Sequence, residues 1–516
     1  MNKLKRILTG IAVMTFMLSA VSCFQSKPIT QNEEIHKEDT LKDTNQSAVI
    51  EKLTETSESD TEDIVLTMAI VFPKEDEYRY KKPIDAFNKS DIGVTVELKN
   101  YIEYYSGSTE GGYNPEGFKT ADFQLMQDII NSDEIDIILN ASFKEPLKYE
   151  VLKSKNAFVD LYGFMESDAE INTNTLNSRI LELNETNGRL YALPIRYGIK
   201  TLCGNRDYVG EKQNWTIDEF LSYWDNMPPD ATINGNRSSE YVYYAIVRDN
   251  ISSFVDYENC SVNFDCEEFR KMLAFCNSFE YNNGRREEHS SDTVNFADVC
   301  MITGFSVADD YFSAENNTTV VGYPTLNGNG AYFHSLGSMY SINANSSKEK
   351  QEAAWKFIRS FATVESLMDN YIEGHEFVEN GKKYVQYDSE QGFPINNEAF
   401  EMQKADILSG KYCSSGIDFN GEEFFEQPPT SEDVDVLMDY MNSIQRWEII
   451  SDFNLQKIVE EEVFEYLAEW IDSTGEKISY ITEKLNNKED INEIKLSLEE
   501  LRKAIMQKAE LLISEL

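Results

Sequence analysis

The sequence predicts an α/β protein built on a mainly parallel sheet with helices on both faces. Three observations carry this expectation: apolar runs of strand length, amphipathic segments between them, and a length of 516 residues. At roughly 100–200 residues per domain, that length allows two or three folded units, each with its own core. Hydrophobic residues make up 41% of the chain, which is the composition of a globular protein and not of a disordered one.

The elements follow in order. Ile64–Phe72 (IVLTMAIVF) is nearly continuous in apolar character, as a strand buried on both faces requires. Pro73 ends it, and Lys82–Lys89 carries Ile84 and Phe87 at helical spacing. Val94–Leu98 alternates as a second strand, Phe123–Ile130 reads as an amphipathic helix, and Ile135–Leu139 as a third strand. Ligands of such sheets collect at the carboxyl ends of the strands. Those ends hold Tyr78 and Tyr80 after the first strand and Asn140 after the third. In Asn187–Asn205 two strand-like runs, Leu190–Ile195 and Lys200–Cys203, meet around Pro194, Tyr197 and Gly198, an extended crossover stiffened by the proline. Trp215–Trp224 opens a helix in which Thr216 and Glu219 form a capping box. Further strands are expected at Val299–Thr303, Val320–Pro324 and Met339–Ile342, followed by a helix at Lys348–Phe361.

Charge narrows the partners. The chain has 91 Asp and Glu against 47 Lys and Arg, a formal charge of −44. Nucleic acid is bound by clustered cations, so this balance argues against it. There are four histidines (His36, His289, His334, His375), none at helical spacing from another, which removes most zinc and histidine-based catalytic designs. The expectation is therefore no metal and no cofactor.

The N-terminus reads as an address. Lys3, Lys5 and Arg6 precede the apolar run Ile7–Ala20, which has the length of a secretory signal and is too short for a spanning helix. Ala20-Val21-Ser22-Cys23 resembles a bacterial lipobox, with Ala20 where leucine is usual. The expectation is residues 1–22 as signal peptide, lipidation at Cys23, and anchoring to the extracytoplasmic face of the cell membrane. Residues 23–63 are polar and aperiodic, as a disordered tether would be. The other six cysteines show no CxxC pair. Cys260 and Cys266 are the nearest pair for a disulfide, and buried free thiols are the plainer alternative.

Taken in order, the lipobox, GRLYALP at 188–194, Thr303-Gly304-Phe305, Val321-Gly322-Tyr323-Pro324, AAWKFI at 353–358 and Gly392-Phe393-Pro394-Ile395-Asn396 form a recurring set. It resembles the extracellular solute-binding proteins of bacterial ABC importers, of the sugar-binding type. The resemblance spans about Ile64 to Asn487. It implies a two-lobed periplasmic-binding-protein-like fold with interleaved lobes, hinge crossover strands and C-terminal helices. Lobe one would comprise 64–197 and 325–372, and lobe two 198–324 and 373–487. Tyr191–Gly198 and Tyr323–Leu326 would be the hinge strands.

A sugar presents apolar C–H faces and a ring of hydroxyls, so its binders need flat aromatic rings and planar polar groups. The chain has 28 Tyr, 29 Phe and five Trp. Tyr78, Tyr80, Tyr197, Tyr311, Tyr332 and Phe333 fall in expected loops at strand ends, with Asn140, Asp309 and Asp452 as hydrogen-bonding partners. By the resemblance, Phe305 stands where the family often has a stacking Trp, and Trp447 is a second platform. Trp215, Trp224, Trp355 and Trp470 are assigned to packing. The function implied is capture of a carbohydrate, most simply an oligosaccharide, by a monomer that delivers it to an ABC transporter permease. A surface glycan-capture or sensor lipoprotein not coupled to import, or a glycoside hydrolase, is the alternative. No GxSxG, HExxH, Walker A or calcium-loop motif supports an enzyme.

At the C-terminus, Ser431–Trp447, Leu455–Trp470 and Thr474–Leu485 read as three helices. Residues 488–516 form a helical extension with apolar residues stepping by threes and fours. It would either pair as a coiled coil or dock on its own lobe.

Overall fold

The computed structural model describes residues 64–448 apart from short internal stretches, of which 103–114, 140–148 and 280–292 are the longest, together with 469–471 and 477–479. Cys23, the tether, Asn140, Asp452 and the 488–516 extension lie outside the described residues.

The first sheet is built from β1 (Ile64–Ile70), β2 (Val94–Asn100), β3 (Ile137–Leu139), β4 (Leu193–Pro194) and β10 (Met339–Ile342), in the order β2-β1-β3-β10-β4. Its first three strands are parallel, with Ile64 opposite Val94 and Ile70 opposite Asn100. The continuous apolar run of β1 has a direct cause. Leu66, Met68 and Ile70 enter one core cluster, while Ala69 and Val71 enter another on the opposite face. Helices α1 (Tyr78–Asn88), α2 (Pro115–Asn131) and α7 (Lys348–Ser360) accompany it. Between β3 and α7 sits Asp136, fully buried, its carboxylate accepting from Thr67 N (2.9 Å), Ser346 Oγ (2.7 Å) and Lys350 Nζ (3.0 Å).

The second sheet hangs on one long strand, β5 (Arg196–Asn205). β7 (Asn295–Ile302) pairs with it antiparallel, and β6 (Thr232–Ile233) joins β7. β8 (Thr318–Val320), β9 (Tyr332–Ser335) and β13 (Phe393–Pro394) also pair with β5. Tyr197 is opposite both Ser335 and Phe393, so β5 is flanked on both edges there. Helices α3 (Ile217–Trp224), α4 (Ser239–Ile246) and α5 (Glu267–Asn277) supply an aromatic core. Trp215 lies at its centre, fully buried, its indole Nε1 donating to Gly322 O at 2.7 Å. The Thr216–Glu219 capping box starts α3 as the spacing predicts. α6 (Ala308–Phe312), α8 (Asn397–Leu408) and α9 (Ser431–Ser443) complete the described helices used below.

Three chain passages link the sheets, side by side. β4 runs into β5 through Ile195, β9 into β10 through 336–338, and the segment 392–397 passes next to both. Leu336 N donates to Arg196 O (3.0 Å), Ile395 N to Ile195 O (3.1 Å) and Asn177 N to Ile395 O (2.8 Å). The return passage falls downstream of the expected Tyr323–Leu326, because β9 is still paired with β5 through Ser335.

Several sequence expectations are corrected. The helix expected from Lys82 begins at Tyr78, which puts Tyr78 and Tyr80 in its first turn and Pro83 inside it. Residues 469–471 and 477–479 form an antiparallel strand pair and not the ends of two helices. A disulfide joins Cys203 of β5 to Cys300 of β7, 97 residues apart, with Cα atoms 6.1 Å apart. The pairing of β5 with β7 brings these two together, which proximity in sequence could not show. Cys266, Cys276 and Cys413 are free thiols.

Candidate functional site

Two groups of side chains combine aromatic rings with charged and amide groups near the passages. The first stands at the carboxyl ends of β1 and β2. Glu77 is buried, accepting from Asn100 Nδ2 (2.9 Å) and pairing with Lys81 Nζ (2.5 Å). Burial raises its pKa, but the hydrogen bonds from Lys81 and Asn100 and the Lys81 and Lys74 charges outweigh it and hold the carboxyl below its usual range. Asn100 also clasps the backbone of Phe72, donating to its carbonyl at 2.8 Å. Phe72 and Tyr80 lie ring to ring with centroids 5.0 Å apart. Tyr80 is half-buried, and burial with the neighbouring Tyr340 pushes its hydroxyl up to about 12. It is therefore a neutral hydroxyl at any physiological pH, able to donate.

The second group forms where the chain after α9 returns to β9. Phe333 N donates to Arg446 O (2.9 Å), and Glu448 N donates to Phe333 O (2.7 Å), so Trp447 lies beside Phe333 in a parallel bridge. Alternation then sends Arg446 and Trp447 to opposite sides. The Arg446 guanidinium lies 5.6 Å from the Tyr332 ring centroid, with Nη1 3.3 Å from Ser253 Oγ. Tyr332 stacks on Tyr323, centroids 6.0 Å apart at 20°. The half-buried Trp447 packs against the first-sheet cluster that contains Tyr101, Tyr191 and Met339. Its backbone is tied to β9, and its side chain also packs against the larger cluster that holds residues of both sheets.

The sequence candidates separate clearly. Tyr80 and Trp447 are half-buried, and Tyr78 is 65% exposed. Tyr311 and Asp309 are half-buried on α6, a helix and not a loop, and burial pushes the Tyr311 hydroxyl up to about 12. Tyr332 and Phe333 are buried within β9. Tyr197 and Phe305 are wholly buried and present no ring face. Tyr197 lies within β5, in contact with Phe333 and Phe393, and its hydroxyl accepts from Asn177 Nδ2 at 3.3 Å. Phe305 is packed edge-on between Phe393 and Phe400. The preceding Gly304 has a separate cause: a Cβ there would lie 2.1 Å from the Glu390 carboxylate, which accepts from Ser306 N at 2.5 Å. Glu77, Asn100, Arg446 and Ser253 went unnoticed in the sequence. Only Arg446 had a signal, its place beside Trp447.

The family described as bacterial extracellular solute-binding protein matches residues 141–378. Over that region, a little under half of the chain, the sequence is similar to that family. The matched region runs from the end of β3 into the strand that follows α7, and so contains two of the three passages between the sheets. No curated protein matches the chain. Among solved structures, a family 1 extracellular solute-binding protein of Alicyclobacillus acidocaldarius aligns at 11% identity and a TM-score of 0.48, covering 88% of this chain and all of that one. An oligogalacturonide-binding protein of Yersinia enterocolitica aligns at 14% identity and 0.44, covering 86% of this chain and all of its own. A cyclic maltosyl-maltose-binding protein of Arthrobacter globiformis aligns at 12% and 0.45, covering 87% and 99%.

Proposed function

We propose that this solute-binding protein captures a carbohydrate between two lobes, each centred on one sheet, and passes it to the permease of an ABC importer. The lobes would divide at the passages, at about 64–195 with 336–372 and 196–335 with 373–487, and lipid on Cys23 would hold the protein at the membrane. The supporting observation is Trp447, whose backbone is tied to β9 of the second sheet while its side chain packs on the first-sheet cluster and on the cluster shared by both sheets. A ring so placed stacks on an apolar sugar face and registers movement of one sheet against the other. Half-buried Tyr80 offers a second ring, and the Arg446–Ser253 side offers donors and acceptors for hydroxyls. Ligand that binds the closed arrangement more tightly would shift the population toward it without any chemical step.

Calorimetry over a panel of oligosaccharides tests this. Trp447→Ala should weaken the best ligand at least about tenfold, and Tyr80→Ala by less, with folding unchanged by circular dichroism. If Trp447→Ala binds like the parent, the site lies elsewhere. If no oligosaccharide binds while a peptide or polyamine does, the carbohydrate reading fails.

A further inference from the structure

Away from both side-chain groups, the β11 (Gly374–Glu379) and β12 (Lys382–Tyr387) hairpin leaves the body with its open end held by paired backbones. Gly374 is opposite Tyr387, and Asp388 N donates to Glu373 O at 2.8 Å, so Glu373 and Asp388 continue the pairing by one residue. Side chains alternate along a strand, so Glu373 and His375 share a face, and the cross-strand neighbour Asp388 shares it with them. Donor atoms of these three residues lie within 4.8 Å of one another, with His375 Nε2 3.2 Å from Asp388 Oδ2.

As an ion pair alone the arrangement is unbalanced. Two carboxylates directly opposite across a hairpin repel. Among the described residues no Lys or Arg lies within ion-pair distance of either. The hairpin's lysines are engaged elsewhere, Lys382 with Glu423 and Lys383 with Glu376. One imidazole can offset at most one of two facing carboxylates. The frame is firm at its root, where Ile372 and Glu390 are buried on either side.

We propose that this hairpin mouth binds a divalent transition metal, Zn2+ in the first instance, through Glu373, His375 and Asp388. One imidazole nitrogen and two carboxylate oxygens form a borderline donor set, which suits zinc better than calcium, whose sites collect six to eight oxygens. Zinc ligands at about 2.0–2.2 Å need the three donors drawn slightly closer than they stand, a small rotamer adjustment for exposed side chains. Water completes the coordination. The metal neutralises the facing carboxylates and clamps the two strands where they leave the body. Helical-spacing and CxxC searches miss such a site because its ligands come from i, i+2 and the facing strand.

The test is calorimetric titration of the purified chain with ZnCl2, alongside CoCl2 as a visible-absorption probe. The expected result is one saturable site that His375→Ala and Asp388→Asn each weaken at least about tenfold, while Glu376→Gln, on the other face of β11, leaves it unchanged. Circular dichroism of each variant confirms that the fold is kept. Absence of saturable binding up to millimolar Zn2+ overturns the proposal. So does binding that His375→Ala does not weaken, since the ion then sits elsewhere, and so does a preference for Ca2+ or Mg2+ over Zn2+. Carbohydrate binding is measured on the same variants and should not move, which separates this site from the capture reading.

Discussion

The two sheets reach stability by different routes. The first is a parallel stack, β2-β1-β3, in which β1 feeds a core cluster on each face and the buried Asp136 carboxylate is satisfied by a neighbouring strand and helix. The second is organised around one strand, β5, and draws its partners from residues up to about 200 positions away. It adds a covalent link, Cys203–Cys300, and an interlocking aromatic core. The difference teaches that the parallel sheet is held by apolar runs that each strand carries itself. The second sheet depends on long-range closures, each costly in chain entropy until the others form.

The contrast can be broken in several places. The largest effect is expected from Cys203→Ala with Cys300→Ala. The disulfide closes a span of 97 residues, for which the chain-entropy account gives about 4.7 kcal/mol. Hydrogen exchange should then quicken in β5 and β7 while β1–β3 stay protected; equal loss in both sheets would mean that they unfold as one unit. Trp215→Ala should cost about 3–5 kcal/mol, since it empties the centre of the aromatic core and strands the Gly322 carbonyl. Its counterpart in the first sheet is Asp136→Ala, expected to cost about 3 kcal/mol by leaving Lys350 and the Thr67 amide without their acceptor. Chemical denaturation of both variants ranks the two cores, and a harmless Asp136→Ala would show that the buried carboxylate does not hold the first sheet.

In the second sheet a pH dependence centres on one histidine. His334 on β9 is buried beside Gly198 with Nε2 lacking a hydrogen-bond partner, and burial, then the Lys200 charge, pushes its pKa down to about 4. The unfolded chain takes up this proton as pH falls through about 6.5, whereas the folded one does not until about 4. Its contribution to stability therefore falls between those values and levels off below, by on the order of 3 kcal/mol. His334→Gln should flatten that stretch of the stability profile; an unchanged slope assigns it to other groups. The smallest effect is expected at the helix caps. Thr216→Ala at α3 and Ser347→Ala at α7 should each cost about 1 kcal/mol, and a marked inequality would show which sheet leans more on its helix.

How much could be read in advance follows the same division. Strands β1, β2, β3 and β10 and the α3 cap were legible because their signals are local: a continuous run, an alternation, a Thr three residues before a Glu. The candidate site was legible only in part. Trp447 and Tyr80 were found as aromatic residues near strand ends and lie half-buried beside the sheets. Tyr197, Phe305, Tyr332 and Phe333 carry the same local signal, yet strand pairing and helix packing bury them. An aromatic residue beside a glycine looks alike whether it faces solvent or a neighbour's ring. Glu77, Asn100 and Ser253 gave no signal, because a polar residue acquires a role only from the atoms brought to it.

By itself the sequence determined the α/β class, the acidic balance and an ordered set of motifs similar to those of solute-binding proteins. These depend on composition and on periods of two and 3.6 residues, which each segment carries alone. Only the tertiary structure decided that β5 serves as spine to β7, β8, β9 and β13, that Cys203 meets Cys300, which aromatic rings are core, and that Glu373, His375 and Asp388 share one face. Each of these is a meeting of residues distant in the chain or set by strand register, and one residue of slip would turn every such side chain away.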